Sequence, residues 1–138
     1  MNAAAIELPE PSEQMAAHRA SLDAGRLTFQ RCDACGQAWL PPREFCPNCL
    51  SGEWTWQDAS GRAEVVSWVV YHRAYHPAFA DRVPYNVVVA QLEEGPRLIS
   101  NVVGITEDEG LAIVAPLAVV IEREGDVPVS RFRLARPG

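Results

Sequence analysis

Four cysteines stand in this 138-residue chain as Cys32-x-x-Cys35 and Cys46-x-x-Cys49, and there is no fifth. That arrangement restricts the fold more than any other feature. A Cys-x-x-Cys turn presents two sulfurs from one tight knuckle, and a second knuckle completes a tetrahedral set of soft thiolate ligands. Residues 36–45 between the pairs suffice for a short hairpin that brings the knuckles face to face. Gly36 follows the first pair, where a positive φ lets amide hydrogens point at sulfur. Pro47 stiffens the second turn. Leu50 stands where a glycine usually closes a second knuckle.

The spacing is shorter than one common zinc-site template and nearer a rubredoxin-like ribbon. The competing reading is two disulfides or four buried thiols. No positively charged start is followed by an apolar stretch, as a secretory signal requires. No run of about eighteen apolar residues is present, so no helical membrane span is expected. The chain therefore reads as cytoplasmic, where thiols stay reduced and paired Cys-x-x-Cys motifs hold metal. Zinc is the default for an S₄ tetrahedron, and iron also fits one. A four-thiolate site has no open position for water, so the metal is expected to be structural. With every cysteine so engaged, no thiol is left as a nucleophile.

The hydrophobic fraction of 48% is enough for a packed core. All 12 basic residues are arginine, so Schiff-base chemistry through lysine is excluded. The net charge of −6 makes the chain a poor non-specific partner for nucleic acid, whose affinity rests on phosphate contacts. The sequence carries no G-x-S-x-G, H-E-x-x-H, P-loop or G-x-G-x-x-G motif. Its histidines are His18, His72 and His76. His18 falls on a weak helix and is expected in solvent, while His72 and His76 read as structural or interface residues. No catalytic residue is assigned.

The organisation is mainly β: a tail and helix over 1–26, a zinc ribbon over 27–58, and a five-stranded barrel over 59–138. Residues 1–11 read as a mobile terminus. Ser12 is a helix cap, Glu13 suits the helix dipole, and Gly25 is a stop. The apolar face of that helix is mostly alanine, so it needs a surface to dock on. Ribbon strands are expected at 27–31, 38–40 and 54–56. Five β-rich runs follow at 61–73, 85–93, 97–103, 117–124 and 127–134. A Glu-Gly-Pro turn separates the second from the third, and 106–113 interrupts the third and fourth. That order suits an OB-type Greek-key barrel, which is expected to hold its own apolar core.

The loop after the first barrel strand, 72–80, carries Arg73, Tyr75, His76 and Phe79. These residue types make interface hot spots, and in an OB-fold this loop borders the binding face. The bland alternative is that Tyr75 and Phe79 plug one end of the barrel.

Taken in order, Gln30-Arg31-Cys32-Asp33-Ala34-Cys35-Gly36, Pro41-Pro42-Arg43, Cys46-Pro47-Asn48-Cys49, Ser60-Gly61, Tyr71-His72-Arg73, Pro77-Ala78-Phe79-Ala80, Pro84-Tyr85, Glu94-Gly95-Pro96-Arg97, Ser100-Asn101 and Phe132-Arg133 resemble a known family. It is the zinc-ribbon/OB-fold family called domain of unknown function thirty-five. The resemblance implies an N-terminal helical segment, a rubredoxin-like zinc ribbon holding structural zinc, and a C-terminal OB-fold. It also implies an accessory subunit associated with acyl-CoA, without activity alone, in a hetero-oligomer with a thiolase-like or aldolase-type catalytic partner of lipid metabolism. A CoA thioester is then a shared ligand. Two other readings compete: a single-stranded nucleic-acid binder, and a free acyl-CoA carrier in which Arg43, Arg73 or Arg97 meets the CoA phosphates.

Overall fold

The computed structural model describes residues 10–135. The terminus read as mobile lies outside them, except for its last two residues. Helix α1 (Glu13–Asp23) starts where the Ser12 hydroxyl accepts the Met15 amide at 3.1 Å. It ends at Gly25, whose φ of +83° provides the left-handed stop. The alanine-rich face does find a surface. His18 and Leu22 are buried, and α1 packs on the ribbon strand β1 and the barrel strand β8. The expectation that His18 lies in solvent is therefore corrected: its ring stacks on Trp56 at 6.1 Å. Burial holds its imidazole below the usual histidine range, partly opposed by a backbone hydrogen bond with Thr28.

The ribbon comprises β1 (Thr28–Cys32), β2 (Ala38–Trp39) and β3 (Trp54–Asp58), antiparallel in the order β2-β1-β3. The barrel comprises β4 (Arg62–Tyr71), β5 (Tyr85–Leu92), β6 (Arg97–Ser100), β7 (Pro116–Glu124) and β8 (Val127–Leu134). Their order is β6-β5-β4-β7-β8, and a parallel bridge from Val102 to Phe132 brings the two edges together. The result is a nearly closed five-stranded barrel of OB type. A bulge between Val65 and Ser67 lets β4 pair with β7 in its first part and with β5 throughout.

Each predicted barrel run forms a strand. The third stops short, at Ser100 rather than 103. Its reason is the buried Asn86, whose side chain accepts the Val102 amide at 2.7 Å and donates to the Val102 carbonyl at 2.9 Å. The Asn86 side chain thus takes the place of a β5 backbone partner, while the Asn101 carbonyl and the Val103 amide bond to Phe132 of β8.

The barrel does not own its core. Leu22 of α1, Leu27 and Phe29 of the ribbon segment, and Leu40 share one buried cluster with Val65, Val88, Ala90, Leu92, Leu117 and Phe132. Helix, ribbon and barrel bury each other's apolar surface because none is large enough alone. We expect Phe29→Ala to cost about 3–5 kcal/mol. Urea unfolding followed by tryptophan fluorescence, largely from the ribbon, and by far-UV circular dichroism should coincide in one transition. Two separate transitions would contradict a shared core.

Candidate metal centre and docking surface

The two knuckles are built alike. In the first, the Cys32 carbonyl accepts the Gly36 amide at 3.0 Å, and the Cys32 sulfur accepts the Cys35 amide at 3.4 Å. In the second, the Cys46 carbonyl accepts the Leu50 amide at 2.9 Å, and the Cys46 sulfur accepts the Asn48 and Cys49 amides at 3.4 and 3.5 Å. Gly36 takes the positive φ expected of it, at +80°. Leu50 takes the same conformation at +65° although it carries a side chain. The second knuckle thus keeps the backbone geometry and bears its steric cost.

All four Sγ atoms lie within 4.8 Å of one another. Cys32 and Cys49 are 3.5 Å apart, and Cys35 and Cys46 are 3.7 Å apart. A tetrahedron with Zn–S of about 2.3 Å has edges near 3.8 Å. Those two separations match such edges, and the whole set is close enough to converge on one zinc ion. Cys32 and Cys46 are buried, whereas Cys35 and Cys49 face solvent. In the metal-free thiols, the Gln37 amide, with help from Asn48, pulls Cys35 down to about 6. The Ser51 amide acts downward on Cys49, but the neighbouring sulfurs and desolvation outweigh it and push that thiol to about 12. Four crowded sulfurs cannot all ionise without a cation, and zinc supplies one.

The ribbon around the cage is locked by Gln30. Its buried amide donates to the Arg43 carbonyl at 2.6 Å and accepts the Arg43 amide at 2.7 Å. Trp39 and Trp54 pack edge to face beside Cys32 and Cys46. Trp54 donates its indole N–H to the Glu44 carbonyl at 2.8 Å. Four thiolates fill the coordination sphere of a tetrahedral zinc, so such a site offers no open position for chemistry.

The barrel carries a second feature, an open cleft of about 690 Å³. Phe79, Tyr85 and Ile99 form apolar walls, and Arg82, Arg131, Glu122 and Glu124 form a charged one. Arg131 meets Glu122 at 2.8 Å and Glu124 at 2.9 Å, and the other Glu124 oxygen pairs with Arg82. Two positive charges thus face two negative ones. A single-strand groove needs unpaired cationic charge along its length, and this cleft spends its own internally. Arg82, followed by Arg131, holds the Glu124 carboxyl below the usual carboxylate range.

The four loop residues singled out in the sequence divide into two pairs. Arg73 lies over the ring of Tyr75 at 5.4 Å, and Tyr75 is 73% exposed. His76 caps the 3₁₀ turn Pro77–Phe79, its Nδ1 accepting the Ala78 amide at 2.9 Å. Phe79 is half-buried, 5.6 Å from Tyr85, with the Arg82 guanidinium over its ring. Tyr75 is thus free to meet solvent, whereas Phe79 packs against the barrel end, as the plug reading expected of it. Arg97 and Arg43 stand apart from this group, Arg43 on the ribbon and Arg97 at the start of β6.

Sequence reasoning missed the outer face of β4, β5 and β6. Val69, Val87, Val89 and Ile99 lie there, with Val69 52% and Ile99 75% exposed. Their signal was the run Val87-Val88-Val89-Ala90, apolar at consecutive positions where a half-solvated strand alternates.

Residues 19–55 match the family model described as "ChsH2, rubredoxin-like zinc ribbon domain", and residues 56–122 match "ChsH2, C-terminal OB-fold domain". The chain is 39% identical over 113 residues to a "Probable enoyl-CoA hydratase alpha subunit" of Thermomonospora curvata, covering 81% of this chain and 34% of that protein. It is 35% identical over 74 residues to a "DUF35 domain-containing scaffold protein" of Methanocaldococcus jannaschii, covering 53% of this chain and 52% of that one. It thus spans about a third and about half of those two relatives. Among solved structures, a chain of the "Ltp2-ChsH2(DUF35) aldolase" superposes with a TM-score of 0.78 at 33% identity, covering 92% of this chain and 98% of that one.

Two outcomes are expected. Purified protein kept reduced should carry one zinc per chain by metal analysis, and Cys46→Ser should lose it. Less than about half an equivalent of metal would sink the assignment. Glu124→Gln should lower stability at neutral pH by up to about 1 kcal/mol, the range of a partly exposed pair. A depressed carboxylate stabilises the fold above its unfolded pKa, and that contribution fades as pH falls through the lower folded value. Wild type and variant should therefore converge in acid-titrated urea melts below about pH 4.

Proposed function

This chain belongs to the ChsH2/DUF35 family of zinc-ribbon and OB-fold proteins, and on that premise we propose that it is a non-catalytic accessory subunit. It assembles with a thiolase-superfamily enzyme, of thiolase or aldolase type, that acts on acyl-CoA substrates. The observation that carries this reading is the match over nearly the whole of both chains to a chain of a solved aldolase complex. The chain's own chemistry agrees. Its four cysteines converge on one closed cage, where zinc bound by Cys32, Cys35, Cys46 and Cys49 holds structure. The partner contributes the catalytic groups and the acyl-CoA site.

The solvent-facing aromatic Tyr75, backed by Arg73 and by Tyr71 at 6.0 Å, supplies an anchor for that partner. Phe79 and His76 shape the loop that presents it. The nucleic-acid reading draws no support from a cleft whose two arginines are already paired.

Co-expression with a thiolase-superfamily candidate partner should give one peak on size-exclusion chromatography at micromolar concentration. Tyr75→Ala should weaken assembly by about 2 kcal/mol with zinc content unchanged. Separate elution of the two wild-type proteins, or turnover of an acyl-CoA by this chain alone, would refute the accessory role.

A further inference from the structure

The barrel has an open seam along β4. Hydrogen bonding assigns its direction. Leu92 donates to the Pro96 carbonyl, so Leu92, Ala90 and Val88 face β6, and Gln91, Val89, Val87 and Tyr85 face β4. Their opposite residues Ser67, Val69 and Tyr71 therefore bond to β5. Trp68 and Val70 direct their amides and carbonyls the other way. On that side β7 reaches only Arg62–Glu64, and Ala115 and Val114 take the amide and carbonyl of Val65. Beyond Val65 no described residue pairs with this edge.

An unpaired strand is normally blunted by lysine, proline or an inward-pointing charge. The stretch 66–71, Val-Ser-Trp-Val-Val-Tyr, has none of these. Apolar side chains stand at both of its ends. At one end are Ile113 and Val114, both exposed. Val114 is β-branched yet held at φ +59°, a conformation of high steric cost, by its bond to Val65. Such strain persists where the surroundings impose it and clusters at binding sites. At the other end are Tyr71 and Tyr75. The inward side chains Trp68 and Val70 are only half-buried, whereas Val88 and Ala90 on the paired strand are fully enclosed.

We propose that the open edge of β4, at Trp68 and Val70, accepts an extended, apolar strand of the catalytic partner by β-augmentation, bracketed by Ile113–Val114 and Tyr71–Tyr75. The inference rests on the accessory-subunit reading and adds the mode of attachment. Main-chain hydrogen bonds to the edge supply register, and the bracketing side chains supply selectivity for an uncharged segment. The occupant is a partner strand and not a second copy of this chain. Pairing β4 with its own copy would extend the sheet and double the exposed apolar face of Val69, Val87, Val89 and Ile99. A strand projecting from a larger body brings that body over the same face.

Hydrogen–deuterium exchange of the full chain, free and in complex with its thiolase-superfamily partner, tests this. The Trp68 and Val70 amides should exchange at least tenfold more slowly in the complex, and Val69, already bonded to β5, should change little. Val70→Pro removes one edge donor at a position where an edge strand tolerates proline. With zinc retained, it should weaken the complex by tenfold or more. A stable wild-type complex with no protection at Trp68 and Val70 would overturn strand addition and leave the accessory role standing. Should Val70→Pro fail to fold, the wild-type exchange pattern alone decides. Protection in the free chain together with a dimer by sedimentation would assign the edge to a second copy and likewise overturn the proposal. Absence of any wild-type complex would remove the accessory role itself.

Discussion

Four sulfurs gathered within 4.8 Å of one another impose the geometry on which the N-terminal half depends. The ribbon has three short strands, and β2 has only two residues. Such a sheet buries too little to hold itself together, and a structural zinc site contributes on the order of 10–16 kcal/mol to folding in small finger peptides. Once the cage closes, Cys32 at the end of β1 and Cys46 beside Trp54 become fixed points. Gln30 then ties the intervening loop to the strand through both hydrogen bonds to Arg43.

What the cage organises is not a separable finger. Leu27, just before β1, and Phe29 within it lie a few residues ahead of Cys32 and belong to the cluster that fills the barrel. α1 adds Leu22 to the same cluster and packs on β8, and Asp23 at its end meets Arg123 of β7. The metal therefore acts at a distance: it orients a strand whose other residues complete the barrel's core.

The barrel's outer cleft shows how an OB-fold can abandon the use its shape suggests. The loop-bordered groove is present, and two arginines line it. Glu122 and Glu124 neutralise both, and Glu124 ties Arg82, hence the 72–84 loop, to the β7–β8 hairpin. The charge that would attract phosphate instead anchors a loop whose exposed tip is Tyr75.

Much of this was legible in the sequence, because the signals are local. Cys-x-x-Cys spacing specifies a knuckle, the Ser12 cap and Gly25 stop bound a helix, and apolar runs between turn residues mark five strands at their observed places. Leu50 adopting the glycine conformation shows the knuckle's hydrogen bonds prevailing over a residue preference. Other features depended on which surfaces meet. His18 looked solvated because its helix has a thin apolar face, yet Trp56, distant in sequence, stacks on it. The barrel seemed to own its core because no local pattern reveals that Phe29 points across a module boundary. The sequence determined the metal ligands and the order of elements through short-range spacing and periodicity. Only the tertiary structure decided the neutralised cleft, the shared core and the open edge of β4, because each depends on the register of strands far apart in the chain.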